Sequence, residues 1–238
     1  MALAMPPCNC ISRPGAEERP RDIETVFMDD VDHLARFVDY PASESGPLFR
    51  SMFPRPDIDF SEQQKAEIIE WHADGIKEAI TGGRTHLRKI RHSDGIVVGL
   101  AGWVLERCPK EQATSNKNKT TTEIAKVGGK QKFKNWTGSL EPLKKERQRA
   151  IGHLDIVCRI TIMSVCPEYQ RQGLGSILMQ HICEDMDRLG RHGYVLASPV
   201  GVKLYSKFGF EAVGQVDTPY GPITSMLRGR QPRPSLRA

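Results

Sequence analysis

The fold of this chain turns on one stretch, Val165-Cys166-Pro167-Glu168-Tyr169-Gln170-Arg171-Gln172-Gly173-Leu174-Gly175-Ser176. A β-branched run over residues 154–165 leads into it and is too long for one flat strand without a bulge. A turn containing Pro167 follows. Two glycines, two residues apart, then open a helix whose Ile177, Leu178, Ile182, Met186 and Leu189 share an inward face. The first N–H groups of a helix lack internal partners and carry the positive end of its dipole. Such a helix start is an anion site, and a pyrophosphate fits it. A Cβ at Gly173 or Gly175 would hold a phosphate off the backbone, and Arg171 adds a full charge. Neither GxGxxG nor GK[ST] is present, so a diphosphate other than that of the common nucleotide motifs is expected. A glycine-rich helix start without a ligand is the competing reading.

Upstream, residues 23–27 alternate as a strand and residues 29–38 carry Val31, Leu34, Ala35 and Val38 at helical spacing, with Pro41 as the stop. A Ser-, Gly- and Pro-rich loop reaches Phe60. Ser61-Glu62-Gln63-Gln64 is a capping box. The second helix that it opens has Ile68, Ile69, His72, Ile76, Ala79 and Ile80 on one face and ends at Gly82-Gly83. Strands are expected over 85–91 and 96–105, joined by Ser93-Asp94-Gly95. Downstream come a short strand at 194–197, a short helix over 200–208 ended by Gly209, and strands at 211–216 and 223–227. This order predicts an α+β fold, one mixed sheet covered by helices.

The chain has 238 residues, 39% hydrophobic and 26% charged, with mean hydropathy −0.44, a globular composition that suits one domain. No apolar run approaches the roughly 18 residues of a membrane span. The N-terminus, MALAMPPCNC, lacks a basic start and a long apolar stretch, which predicts no secretory signal. The six cysteines lack CxxC spacing and are expected to be reduced core fillers, not disulfides or metal ligands. The net charge is +5, yet residues 107–150 hold 12 Lys/Arg against four Asp/Glu, so the remainder is slightly acidic. The basicity belongs to a polar segment read as a long, largely disordered insertion between two strands. Only Phe133 and Trp136 interrupt it with aromatic rings, which weighs against a single-strand nucleic-acid platform.

Gln170-Arg171-Gln172-Gly173-Leu174-Gly175 resembles the Q/R-x-x-G-x-G/A signature of the GNAT superfamily of N-acetyltransferases, with Val165 where the family has an apolar strand residue. About thirty residues on, Ser198-Pro199-Val200-Gly201-Val202-Lys203-Leu204-Tyr205-Ser206-Lys207-Phe208-Gly209-Phe210 is similar to the family's N-x-x-A-x-x-L-Y-x-x-x-G-F block. The two blocks stand in the family's order and separation. The resemblance covers residues 160–210, and the N-terminal half agrees in pattern only. Ser198 replaces the usual Asn, which removes one donor–acceptor pair, and Gly201 replaces a small Ala.

The resemblance implies a GNAT-like fold: a mixed, mostly antiparallel sheet flanked by helices, with the strand ending at Val165 splayed from the strand at 194–197. The acetyltransferase domain would span residues 21–228, with the 107–150 insertion inside it, after a disordered lead at 1–20 and before a loose tail at 229–238. Acetyl-CoA would be the co-substrate, with no metal. Its pantetheine arm would add along Met163, Ser164 and Val165 like a strand and reach Ser198. Its pyrophosphate would sit on Gln170, Arg171, Gln172, Gly173, Leu174, Gly175 and Ser176.

The implied activity is transfer of acetyl to a primary amine of a small molecule or peptide, in the cytoplasm, with the nucleus left open. Neither membrane nor nucleic acid is expected as a partner. Tyr205 falls on the family's general-acid position and would protonate the leaving thiolate; packing the short helix is its alternative role. No residue stands out as general base. Glu168 lies in the turn, Asp155 and His153 lie at the strand's far end, and His72 reads as a core histidine. Trp71 and Trp103 read as packing residues, though either could wall an acceptor pocket. The rival function is a non-catalytic acyl-CoA-binding module of the same fold.

Overall fold

The computed structural model describes residues 23–53, 60–108 and 136–231. The expected lead over 1–20, residues 109–135 of the insertion and the tail beyond 231 lie outside them. Seven strands form one sheet in the order β1-β2-β3-β4-β5-β7-β6. β1 (Ile23–Thr25), β2 (Thr85–Arg91), β3 (Val97–Arg107) and β4 (Ile156–Val165) run antiparallel in sequence. β5 (His192–Ala197) joins β4 in parallel, and β6 (Phe210–Thr218) and β7 (Gly221–Arg228) form a hairpin with β7 against β5. This is the mixed, mostly antiparallel sheet that the element order implies.

Helices cover both faces. α6 (Leu174–Leu189) and α7 (Pro199–Ser206) bury Leu174, Leu178, Ile182, Met186 and Tyr205 against Ala101, Trp103, Val195 and Ala197. The expected inward Leu189 is exposed at the end of α6, where Gly190 turns the chain at φ 62°. On the other face, α4 (Glu62–Thr81) packs with the N-terminal helices over Leu87, Val97 and Leu100. Its capping box forms as expected: Gln64 N donates to Ser61 Oγ at 3.3 Å and Ser61 N to Gln64 Oε1 at 2.9 Å.

Two segments differ from the sequence reading. Pro41 does not stop the first helix. α1 (Val31–His33) widens into a π turn, Leu34–Asp39, and resumes as α2 (Tyr40–Ser43), with Tyr40 N–H bonding back to Ala35 O. Proline is tolerated in the first turn of a helix, where its missing N–H is not needed, and the π turn absorbs the change of register. The following loop holds a further helix, α3 (Pro47–Met52).

The insertion also carries structure at its end: α5 (Trp136–Ile151) is helical, contrary to the disorder expected through residue 150. Its Leu143, Glu146, Ala150 and Ile151 are buried. Arg149 grips Glu146 through two hydrogen bonds, at 2.7 and 2.6 Å, and also donates to Val213 O at 2.6 Å. Val213 lies in the β6 bulge between Ala212 and Gly214. Composition hid this helix because one apolar stripe and one ion pair suffice once a sheet is there to receive them.

The Arg149 hydrogen bond holds the Glu146 carboxyl below its ordinary 4.5, and Arg91 does the same for Glu24. Such groups contribute stability that is full above the unfolded value and is lost as pH falls through the folded one. Tm followed by circular dichroism is therefore expected to drop as pH falls below 4.5, and Glu146→Gln to flatten that drop. An unchanged slope in the variant removes Glu146 from the account.

Candidate active site

β4 and β5 pair only at Val157↔His192, Cys158↔Gly193 and Arg159↔Tyr194. Beyond that, β5 stays with β7 through Ala197↔Thr224, while β4 stays with β3 through Gly99↔Val165. The register slips where Gly102↔Ile162 gives way to Trp103↔Ile160, the bulge that the long β-branched run predicts. A bulge bends its strand, and β4 leaves β5 from this level on. Cys166 N–H donates to Val98 O at 2.8 Å. Strand alternation then turns the main-chain groups of Ser164 toward β3 and those of Met163 and Val165 into the gap.

At the mouth of the gap the chain turns through Arg171 at φ 65° and Gly173 at φ 88°, both left-handed. Among the described residues, no acceptor takes the N–H groups of residues 171–175. The first helical bonds run from Ser176 and Ile177 to Gly173 O, at 2.9 and 3.1 Å. The amide of Ser176, expected in the cradle, is thus already spent. Gln170 Nε2 donates to Val165 O at 3.0 Å and Gln172 Nε2 to Glu168 O at 3.5 Å, so both glutamine side chains brace the turn. Leu174 points into the core, leaving only its main chain to the cradle.

The two glycines have different reasons. Nothing lies within 4 Å of a Cβ built on Gly173, whose need for glycine is its φ. A Cβ on Gly175 would meet Leu204 Cδ2 at 3.3 Å, so Gly175 lets α6 and α7 approach.

α7 starts at Ser198, whose hydroxyl makes no capping bond. Tyr205 sits on its buried face, with its ring 5.8 Å from that of Phe210. Burial lifts the phenol well above its ordinary 10. A Cβ on Gly201 would stand 2.9 Å from Tyr205 Cε2. The Ala-to-Gly departure, neutral on its face, is what admits this ring.

A cluster that the sequence left scattered lies on the opposite face of β4. Ser164 Oγ donates to Asp39 Oδ1 at 2.6 Å, and His72 Nδ1 is 2.7 Å from Asp39 Oδ2. All three are buried, each 6% exposed. Among the described residues, His72 Nε2 has no hydrogen-bond partner. Rings surround the imidazole, with Trp71 at 5.0 Å, Tyr40 at 6.1 Å and Phe49 at 6.1 Å between centroids. His72 was visible as a histidine on an apolar face. Asp39 was not, because its inward direction depends on the π turn. By contrast, Glu168 is exposed in the turn, and His153 and Asp155 are exposed at the other end of β4. Trp103 lies away from this cluster, stacked on His86 at 4.0 Å and donating to Asp185 at 3.3 Å. α3 reaches the β6–β7 turn, with the Arg50 guanidinium 4.9 Å above the Tyr220 ring.

Among the described residues, no group of three or more His, Cys, Asp or Glu could hold a metal ion. No described helix is long and apolar enough to cross a membrane.

Residues 141–212 match the family model of the acetyltransferase (GNAT) domain. Solved structures share the fold. A Corynebacterium glutamicum protein, described as a histone acetyltransferase and related acetyltransferase, is 15% identical, with TM-score 0.57 over 90% of this chain and 98% of that one. Arylalkylamine N-acetyltransferase 2 of Aedes aegypti is 16% identical, with TM-score 0.55 over 87% and 98%. A phosphinothricin acetyltransferase of Sinorhizobium meliloti, solved in complex with AcCoA, is 14% identical, with TM-score 0.51 over 89% of both. At these identities the likeness is one of fold. No curated protein matches the chain in sequence. The glycine turn and the splayed strands both lie inside the segment that is similar to the GNAT acetyltransferase domain.

Proposed function

We propose that this protein is an acetyl-CoA-dependent N-acetyltransferase, passing acetyl directly from the thioester to a primary amine of a small molecule or peptide. One observation carries the reading: among the described residues, main-chain groups that no strand pairs start on the β4 edge at Met163 and the N–H of Val165 and continue through the amides of residues 171–175. An open strand edge running into an anion cradle complements an amide-bearing arm that ends in a pyrophosphate. The open space at Gly173 fits the same group, and Arg171 stands at the turn to add charge. Ser198, at the mouth of the gap, offers a free hydroxyl to the arm.

In this reading the N–H of Val165 stabilises the charge that grows on the thioester oxygen as the amine attacks. The C–N bond forms as the C–S bond breaks, and Tyr205 supplies the proton that the thiolate needs. The rings of Tyr40, Phe49 and Trp71 support an acceptor whose amine is carried on an apolar body; the Aedes protein of this fold is named for arylalkylamines. Cys108, Cys158 and Cys183 are free thiols, in keeping with a reducing compartment such as the cytoplasm. Ser198, where the family has Asn, favours a second reading, an acyl-CoA-binding module without turnover.

Calorimetry with acetyl-CoA and with CoA, followed by thiol release in the presence of tyramine, tryptamine, agmatine or spermidine, separates the two. Binding with turnover is the expected result. Binding without turnover selects the module, and no heat with either ligand overturns both.

A further inference from the structure

We infer that His72, oriented by Asp39, is the base that takes the proton from the acceptor ammonium; this rests on the acetyl-transfer reading above. The acceptor arrives protonated, and its lone pair must be freed before it can attack. His72 Nδ1 is held 2.7 Å from Asp39 Oδ2. In the tautomer that donates Nδ1–H to the carboxylate, Nε2 carries the lone pair of a base. That nitrogen is buried and, among the described residues, without a partner. An unmet buried polar atom costs about 1–3 kcal/mol.

The placement fits the role. Asp39 is tied by Ser164 Oγ at 2.6 Å to β4, on the segment whose edge opens into the gap, so the pair is anchored beside the proposed thioester. The rings of Tyr40, Phe49 and Trp71 around the imidazole screen it from water and attract a cation that enters among them. Of the other candidates, Glu168 faces solvent, His153 and Asp155 are exposed at the far end of β4, and the half-buried Glu44 accepts from the Tyr40 hydroxyl at 3.1 Å.

The step balances. R–NH3+ gives one proton to His72 Nε2, and the freed nitrogen forms the C–N bond as the C–S bond breaks. CoA leaves as the thiol with the Tyr205 proton, and the second nitrogen proton reloads the phenol. His72 then returns its proton to water. His72 is thus the catalytic residue of this step, and Asp39 and Ser164 position it.

The test uses His72→Gln, His72→Ala and Asp39→Asn in the full chain, with the fastest of the four amines above as acceptor. Expected are a fall in kcat of about 10²–10³-fold for both His72 variants, an unchanged acetyl-CoA Kd by calorimetry, and partial recovery of His72→Ala by added imidazole. Asp39→Asn is expected to lower kcat by about tenfold or more, on the scale of a lost oriented hydrogen bond, with KM for acetyl-CoA unmoved. A His72→Gln protein that binds acetyl-CoA normally and keeps kcat within a few fold overturns the inference alone. So does His72→Ala that binds acetyl-CoA but gains nothing from imidazole. A wild-type protein that binds no acetyl-CoA, or acetylates none of the four amines, overturns the reading beneath it, and the inference falls with it.

Discussion

Tyr205→Phe is expected to lower kcat by about 10²–10³-fold, the range of a lost general acid, while the Kd for acetyl-CoA stays within about twofold. The substitution removes one oxygen. It keeps the ring contact with Phe210 and the clearance that Gly201 provides, so folding is not what it probes. Burial raises the phenol above its ordinary 10, because desolvation disfavours the charged form. A leaving thiolate in the same apolar surroundings is destabilised for the same reason and becomes a stronger base, which keeps proton transfer between them matched. The sign for pH follows: a raised phenol stays protonated throughout the neutral range and to beyond 10. A pH profile of kcat is therefore expected to show no falling limb from Tyr205 below that value. If the variant turns over like the wild type, Tyr205 is a packing residue of α7.

Gly173→Ala is expected to weaken acetyl-CoA binding by at least tenfold. Gly173 sits at φ 88°, a region that costs an L-residue about 1–2 kcal/mol. Relaxing that strain turns the amides of residues 171–175 out of convergence, and about 1.4 kcal/mol is tenfold in affinity. A clash does not contribute, since nothing lies within 4 Å of the added Cβ. Gly83→Ala is the matched control: Gly83 has φ 63° and equally open surroundings, but it lies past the end of α4. Both variants are expected to lose a few degrees of Tm, and only Gly173→Ala to lose affinity. Equal affinity in the two, measured by calorimetry, would detach the turn from coenzyme binding.

Much of the candidate site's backbone was legible because its geometry is local. The left-handed turn, the unbonded amides and the start of α6 depend on a dozen consecutive residues, and glycine where φ is positive is a signal that no tertiary context erases. The length of the β4 run announced the bulge, and Ser61 with Gln64 announced α4. The errors share a different physics. Pro41 was a stop signal until a π turn absorbed it. The end of the insertion looked like solvated chain until β6 and α3 offered its apolar stripe a surface. Two assignments within the cradle changed for the same reason. Ser176 spends its amide inside the helix, and the missing side chain of Gly175 answers to Leu204 across the α6–α7 contact.

The resemblance over residues 160–210 carried the expected splay and the place of Tyr205, and the left-handed glycine turn was coded by neighbours in the chain. Only packing brought Asp39 to Ser164 across 125 positions and to His72 across 33. Such a meeting depends on how a widened helical turn, a long helix and a strand stack on one face of the sheet. Hydrophobic burial drives that stacking, and burial has no direction along the chain. The buried pair of Asp39 and His72 was therefore invisible until the layers were assembled.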